Sequence, residues 1–130
     1  MSQTWLPFIL VGAGSMLGGI SRFGLTLATR DMGLFALPWG TLASNTLGCL
    51  LVGIVAGFGA KAELMSAETR LLLTTGFCGG FTTMSAFVYE TSQLLQDKAY
   101  FFASGYFVLT LAGAGLAFLA GLLISQSIVN

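Results

Sequence analysis

No charged residue occurs between Asp31 and Lys61, between Arg70 and Glu90, or after Lys98, and Arg22 is the first charge in the chain. Each interval is predominantly apolar and comparable with the roughly 20 residues that a helix needs to cross a bilayer. Of the 130 residues 55% are hydrophobic and 8% charged, whereas a soluble domain carries about 25% charged residues to cover its surface. Lipid is therefore the solvent this chain suits. The apolar runs leave no length for an extramembrane domain, which excludes a soluble catalytic domain. A formal net charge of zero argues against nucleic acid as a partner.

Read in order, the chain is an all-α membrane protein with four spans, at about 6–28, 38–59, 68–95 and 99–125. The first span holds Gly14-xxx-Gly18, a spacing that lets a second helix approach the backbone closely. Toward its end, Arg22 reads either as a snorkelling interfacial arginine or as an inward-facing charge. Arg30 to Gly33 makes a short polar link. Pro38 suits the first turn of the second span, because its missing N–H is not needed there. Thr41, Asn45 and Gly48 share one face of that span, with Ser44 beside them. Lys61 to Arg70 forms a charged loop, and Ser66 followed by Glu68 and Thr69 reads as a helix start. In the fourth span, Tyr106, Thr110 and Gly113 align on one face, while Gly113, Ala117 and Gly121 make a smooth ridge. The N-terminus shows neither the basic region nor the cleavage site of a signal peptide. Cys49 and Cys78 read as small buried hydrophobes, and with no histidine a metal cluster of their kind is not expected.

The third span carries the anomaly. Gly76-Phe77-Cys78-Gly79-Gly80-Phe81-Thr82-Thr83-Met84-Ser85-Ala86-Phe87 places three glycines and two threonines at membrane depth. Non-helical backbone is tolerated there only when it is buried in protein or lines a polar cavity. The stretch should divide the span into two short helices, near its middle. Carbonyls near Gly79 and Thr82 then lose their helical partners and suit a small hard cation. Asn45, Ser85, Tyr106, Thr110 and the positive ring edge of Phe87 instead suit an anion. A mostly neutral lining favours permeation over storage, because conduction needs entry and exit to be balanced.

Four spans put both ends of the chain on one side. Lys61 and Arg70 then face that side, and Arg22, Arg30 and Lys98 lie toward the other. Lysine and arginine asymmetry normally sets orientation. So even a balance predicts insertion both ways and an antiparallel homodimer about an axis in the membrane plane.

The run from Gly76 to Phe87 resembles the GxxGGxTTFSTF signature of the Fluc (CrcB) fluoride channels. Gly19-xx-Arg22, and Pro38-Trp39-Gly40-Thr41-Leu42 followed by Asn45 and Gly48, extend the likeness over all four spans. The resemblance implies a dual-topology homodimer with two fluoride pores and a structural, untransported Na⁺ at its centre. It assigns the Na⁺ ligands to the backbone carbonyls of Gly79 and Thr82. Asn45 and Phe87 would line the fluoride path, with Thr41, Ser85, Tyr106 and Thr110 as polar-track neighbours. Glu90 resembles an acidic residue at the pore mouth and Arg22 a structural span-one arginine. The chain departs from the pattern at Met84, where a phenylalanine is expected, and at Ala86, where a threonine is usual. Met84 offers a weakly positive methyl in place of a ring edge.

The resemblance points to passive fluoride export through a bacterial inner (cytoplasmic) membrane. Fluoride enters cells as neutral HF and dissociates inside, so a channel driven by the membrane potential suffices. The runner-up is a proton-coupled small multidrug transporter, for which Glu90 would be the membrane carboxylate. A purely structural subunit would explain the glycine ridges but not the broken span. An intramembrane enzyme lacks a histidine, a metal-ligand cluster and a convincing nucleophile–base pair.

Overall fold

In the computed structural model, residues 4–32, 37–61 and 63–129 are described, and among them every regular element is helical. Helix α1 spans Leu6–Thr29 and α2 spans Trp39–Gly59. Helix α3 is a composite over 67–81: an α-helical turn at Ala67–Leu71, a π-helical run at Leu72–Cys78 and a last turn at Gly79–Phe81. Helix α4 is Met84–Gln96 and α5 is Tyr100–Val129. Together, α3 and α4 form one interrupted span, so four stretches are long and apolar enough to cross a membrane. These stretches run over Leu6–Thr29, Trp39–Gly59, Ala67–Gln96 and Tyr100–Val129. Pro38 sits just ahead of α2 rather than within it. Of the polar link at Arg30–Gly33, Gly33 lies outside the described residues.

Local chemistry sets the helix ends. The Ser66 hydroxyl accepts the Thr69 N–H and starts α3, an N-cap arrangement expected from its sequence. A turn at Asp97–Lys98 joins α4 to α5, with Lys98 at a φ of 57°.

Two glycine-lined crossings hold the helices together. Along the first, α1 lies against α3. A Cβ at Gly14 would come within 2.8 Å of the Gly76 Cα, and one at Gly18 would collide with the Phe77 carbonyl. A Cβ at Gly80 would strike Ser15 in turn. Along the second, α2 lies against α5: a Cβ at Gly53 would meet the Phe118 carbonyl, and one at Gly121 the Leu50 carbonyl. Helices in lipid associate by close packing rather than by hydrophobic exclusion, so small residues at crossings are the expected adhesive. Helix α4 packs elsewhere, with Phe87 and Leu94 against Ala103 and Tyr106 of α5. The two halves of the broken span therefore rest on different neighbours, and α2 lies beside both.

The interruption is shorter and later than the glycine pattern suggests. Gly76, Gly79 and Gly80 remain helical, and the chain extends only at Thr82 (φ −88°, ψ 155°) and Thr83 (φ −152°, ψ 119°). The glycines act through the absence of a side chain at the α1 crossing. The threonines act through hydroxyls that compete with helical backbone bonds.

Replacing Gly18 or Gly80 by Val should lower stability by about 2 kcal/mol or more through overpacking. Gly12→Ala, where a Cβ meets nothing within 4 Å, should stay within about 0.5 kcal/mol. Thermal unfolding in detergent checks the contrast.

Candidate functional site

The break at Thr82–Thr83 leaves helix-end carbonyls of α3 and N–H groups of α4 without intrahelical partners. The structure supplies substitutes one at a time. The Cys78 carbonyl keeps its regular donor, the Thr82 N–H, and accepts the Thr82 hydroxyl as well, each at 2.9 Å. Arg22 Nε donates to the Gly80 carbonyl at 3.3 Å, placing a cation at the negative end of α3. The Thr83 hydroxyl accepts the Ala86 N–H and caps α4. Asn45, from α2, meets the Thr83 peptide from both sides: its Oδ1 accepts the Thr83 N–H at 2.7 Å and its Nδ2 donates to the Thr83 carbonyl at 3.1 Å. A primary amide carries a donor and an acceptor side by side, as a peptide group does, so Asn45 stands in for a missing strand or helix neighbour. Gly48, one turn on, makes the space that the Thr82 methyl fills.

Around this pair lies a cavity of about 200 Å³, bordered by Asn45, Thr82, Thr83, Met84, Phe87 and Thr110, with Cys49, Leu111 and Ala114. Its lining holds no charge. Thr110 is 4% exposed, and its hydroxyl has no hydrogen-bond partner among the described residues. A buried hydroxyl of that kind costs free energy unless something accepts from it or donates to it. The Phe87 ring is buried, with its centroid 5.3 Å from that of Tyr106 and 5.7 Å from that of Phe107. Met84 is 63% exposed at the lip.

One turn along, toward the α4–α5 junction, a second group gathers. The Thr41 hydroxyl donates to Glu90 Oε1 at 2.8 Å and the Tyr106 hydroxyl donates to Glu90 Oε2 at 2.6 Å. Tyr106 is fully buried, so its hydroxyl has this carboxylate in place of water. Glu90 also borders two open cavities, of about 350 and 230 Å³, whose linings include Gln93 and Asp97 in one and Thr26 and Arg30 in the other. The carboxylate thus stands between these polar hollows and the ring of Phe87.

Of the residues singled out from sequence, Thr41, Glu90 and Tyr106 form one cluster, and Asn45, Met84, Phe87 and Thr110 line one cavity. Ser85 is exposed, and its hydroxyl pairs with that of Thr83 at 3.2 Å rather than with the cavity groups. Arg22 lies on the α1 side, bonded to backbone. Thr83 was not among the expected site residues, although it is the direct partner of Asn45. The Thr82-Thr83 pair is visible in the sequence, but which carbonyl and N–H Asn45 reaches depends on how α2 crosses the break. Phe107, whose ring packs on Phe87, is likewise indistinct among the apolar residues of α5.

Gly79 and Thr82 border a separate groove of about 390 Å³ with Thr74, Cys49 and Cys78. Gly79 is exposed, and a Cβ there would meet only the Thr74 carbonyl, at 3.8 Å. The N–H that would close on the Gly79 carbonyl in a continuous helix is that of Thr83, and it is held by Asn45. Neutral backbone oxygen fits a hard cation. Among the described residues no group of three His, Cys, Asp or Glu side chains offers an alternative.

A family model described as CrcB-like protein, camphor resistance (CrcB), matches residues 9–122. A protein of Chlorobium phaeobacteroides named fluoride-specific ion channel FluC is 38% identical over 97% of this chain and 98% of its own length. One of the same name from Chlorobaculum tepidum is 42% identical over 91% of this chain and 93% of its own. Another, from Leptospira interrogans, is 40% identical over 85% and 87%. With a neutral cavity built on a broken membrane helix and a match running from α1 into α5, this chain belongs to the CrcB family.

Proposed function

We propose that this protein is a fluoride-selective channel that passively exports fluoride across the cytoplasmic membrane of a bacterium. The observation that carries the reading is the charge-free cavity bordered by Asn45, Phe87 and Thr110, together with a buried Thr110 hydroxyl that has no partner among the described residues. Asn45 Nδ2 has a second N–H beyond the one given to Thr83, and ring edges of Phe87 carry positive potential. Neutral donors replace part of a small anion's hydration without binding it as tightly as a full charge would. The names borne by the relatives support fluoride as that anion. Glu90, with Thr41 and Tyr106, would set the mouth of the path.

The working unit in this reading is an antiparallel pair of chains, each with its own path. Two carbonyls, from Gly79 and Thr82, do not complete the shell of a hard cation. A second, inverted copy would double them and hold Na⁺ as a structural ion that is not transported. Both residues border an open groove, which supports a partner at this face. Drug–proton exchange through Glu90 loses support, because both carboxylate oxygens already accept hydrogen bonds from neighbours on α2 and α5.

Liposomes containing only this protein should release fluoride and retain chloride; no fluoride release from folded protein would overturn the reading. Thr110→Val, isosteric but without the hydroxyl, should slow fluoride release about tenfold, the effect of one charge-assisted hydrogen bond. Thr41→Val and Tyr106→Phe share the Glu90 carboxylate, so their effects on stability should be non-additive by about 0.5–2 kcal/mol in a double-mutant cycle. A label at the N-terminus should be accessible from both sides of the membrane if the chain inserts both ways.

A further inference from the structure

The carbonyls just ahead of the break are partnered unequally. The Cys78 carbonyl accepts from Thr82, and the Gly80 carbonyl accepts from Arg22. The Gly79 carbonyl, between them, has no such replacement among the described residues. Its regular donor, the Thr83 N–H, points 2.7 Å from Asn45 Oδ1. An N–H has one proton, so strong donation to Asn45 precludes strong donation to Gly79. The Asn45 Nδ2 bond to the Thr83 carbonyl, at 3.1 Å, fixes the peptide plane that makes this choice.

We propose that Asn45 is a positioning residue for the cation site: by holding the Thr83 N–H, it keeps the Gly79 carbonyl oxygen free for a sodium ion. The inference rests on the sodium reading given under Proposed function. It follows from geometry rather than from charge, since Asn45 itself need not touch the ion. Without the amide, the Thr83 N–H would face no acceptor at membrane depth, where an unsatisfied backbone group costs several kcal/mol. Closing the helix by one more turn onto Gly79 is the nearest relief, and it removes a cation ligand. The same side chain borders the neutral cavity, so one residue serves both the cation groove and the anion cavity.

Sodium binding can be read without any flux, as the rise in thermal unfolding midpoint with NaCl against N-methylglucamine chloride at fixed protein concentration. The full-length protein in detergent should show a Na⁺-dependent rise. Asn45→Ala should move the half-saturating Na⁺ concentration upward about tenfold or more, a factor equal to one good hydrogen bond. Asn45→Asp keeps an acceptor for the Thr83 N–H but loses the donor to the Thr83 carbonyl, so its shift should fall between those of the wild type and Asn45→Ala. Replacing the Thr83 peptide N–H by an ester oxygen in the Asn45→Ala protein should restore Na⁺ binding, a rescue that a general packing role would not give. Unchanged Na⁺ binding in Asn45→Ala, or no rescue by the ester, overturns the inference and leaves the sodium reading intact. If Asn45→Ala does not fold, the ester in the wild-type chain decides: retained Na⁺ binding supports the inference and lost binding overturns it. A wild type with no Na⁺-specific rise overturns the sodium reading itself.

Discussion

Backbone polar groups have no water to turn to at the centre of a bilayer, and the Thr82–Thr83 interruption exists only because other parts of the chain satisfy it. Asn45 bonds both polar atoms of the Thr83 peptide, Arg22 reaches the Gly80 carbonyl, and the two threonine hydroxyls bond within their own segment. An open N–H or C=O in hydrocarbon costs several kcal/mol, so these contacts decide whether the third span is broken or continuous. They also dictate architecture. Arg22 requires α1 beside the end of α3, and Asn45 requires α2 beside the break.

The glycine crossings make those reaches short enough. With Gly14 against Gly76 and Gly18 against Phe77, the α1 and α3 backbones come close enough for Ser15 to bond the Gly76 carbonyl at 3.3 Å. The π-helical run at Leu72–Cys78 lies along this contact; its Gly79 N–H reaches back five residues to Thr74. Such runs often mark functional positions, and here one leads directly into the break. On the other side, Gly53 and Gly121 bring α2 and α5 together, so that Thr41 and Tyr106 meet on a single carboxylate.

The chemistry grades along the molecule. At one level a carboxylate is held by two hydroxyls; one turn away the lining is an amide, an aromatic ring and an unpartnered hydroxyl. A full charge beside the neutral cavity would hold an anion too tightly or repel it, and neither suits rapid passage. Met84, exposed at the lip, borders that cavity with a flexible and polarisable side chain.

Much of this was legible from residues alone. The charge-free intervals identify four spans, because no other structure hides so much apolar length. Gly14-xxx-Gly18 marks a close crossing, Ser66 a helix start, and Asn45 an amide that needs partners. Tertiary structure decided the rest. It moved the interruption from the glycines to the threonines, since a glycine remains helical where the packing of a neighbouring helix rewards the missing side chain. It joined Asn45 to Thr83 and set Ser85 apart from the cavity. Those outcomes depend on the rotation and offset of helices distant in sequence, which periodicity within a single span does not encode. Local composition determined that the chain crosses lipid with a flaw in its third span, and the crossing of α2 over that flaw determined which backbone groups Asn45 engages.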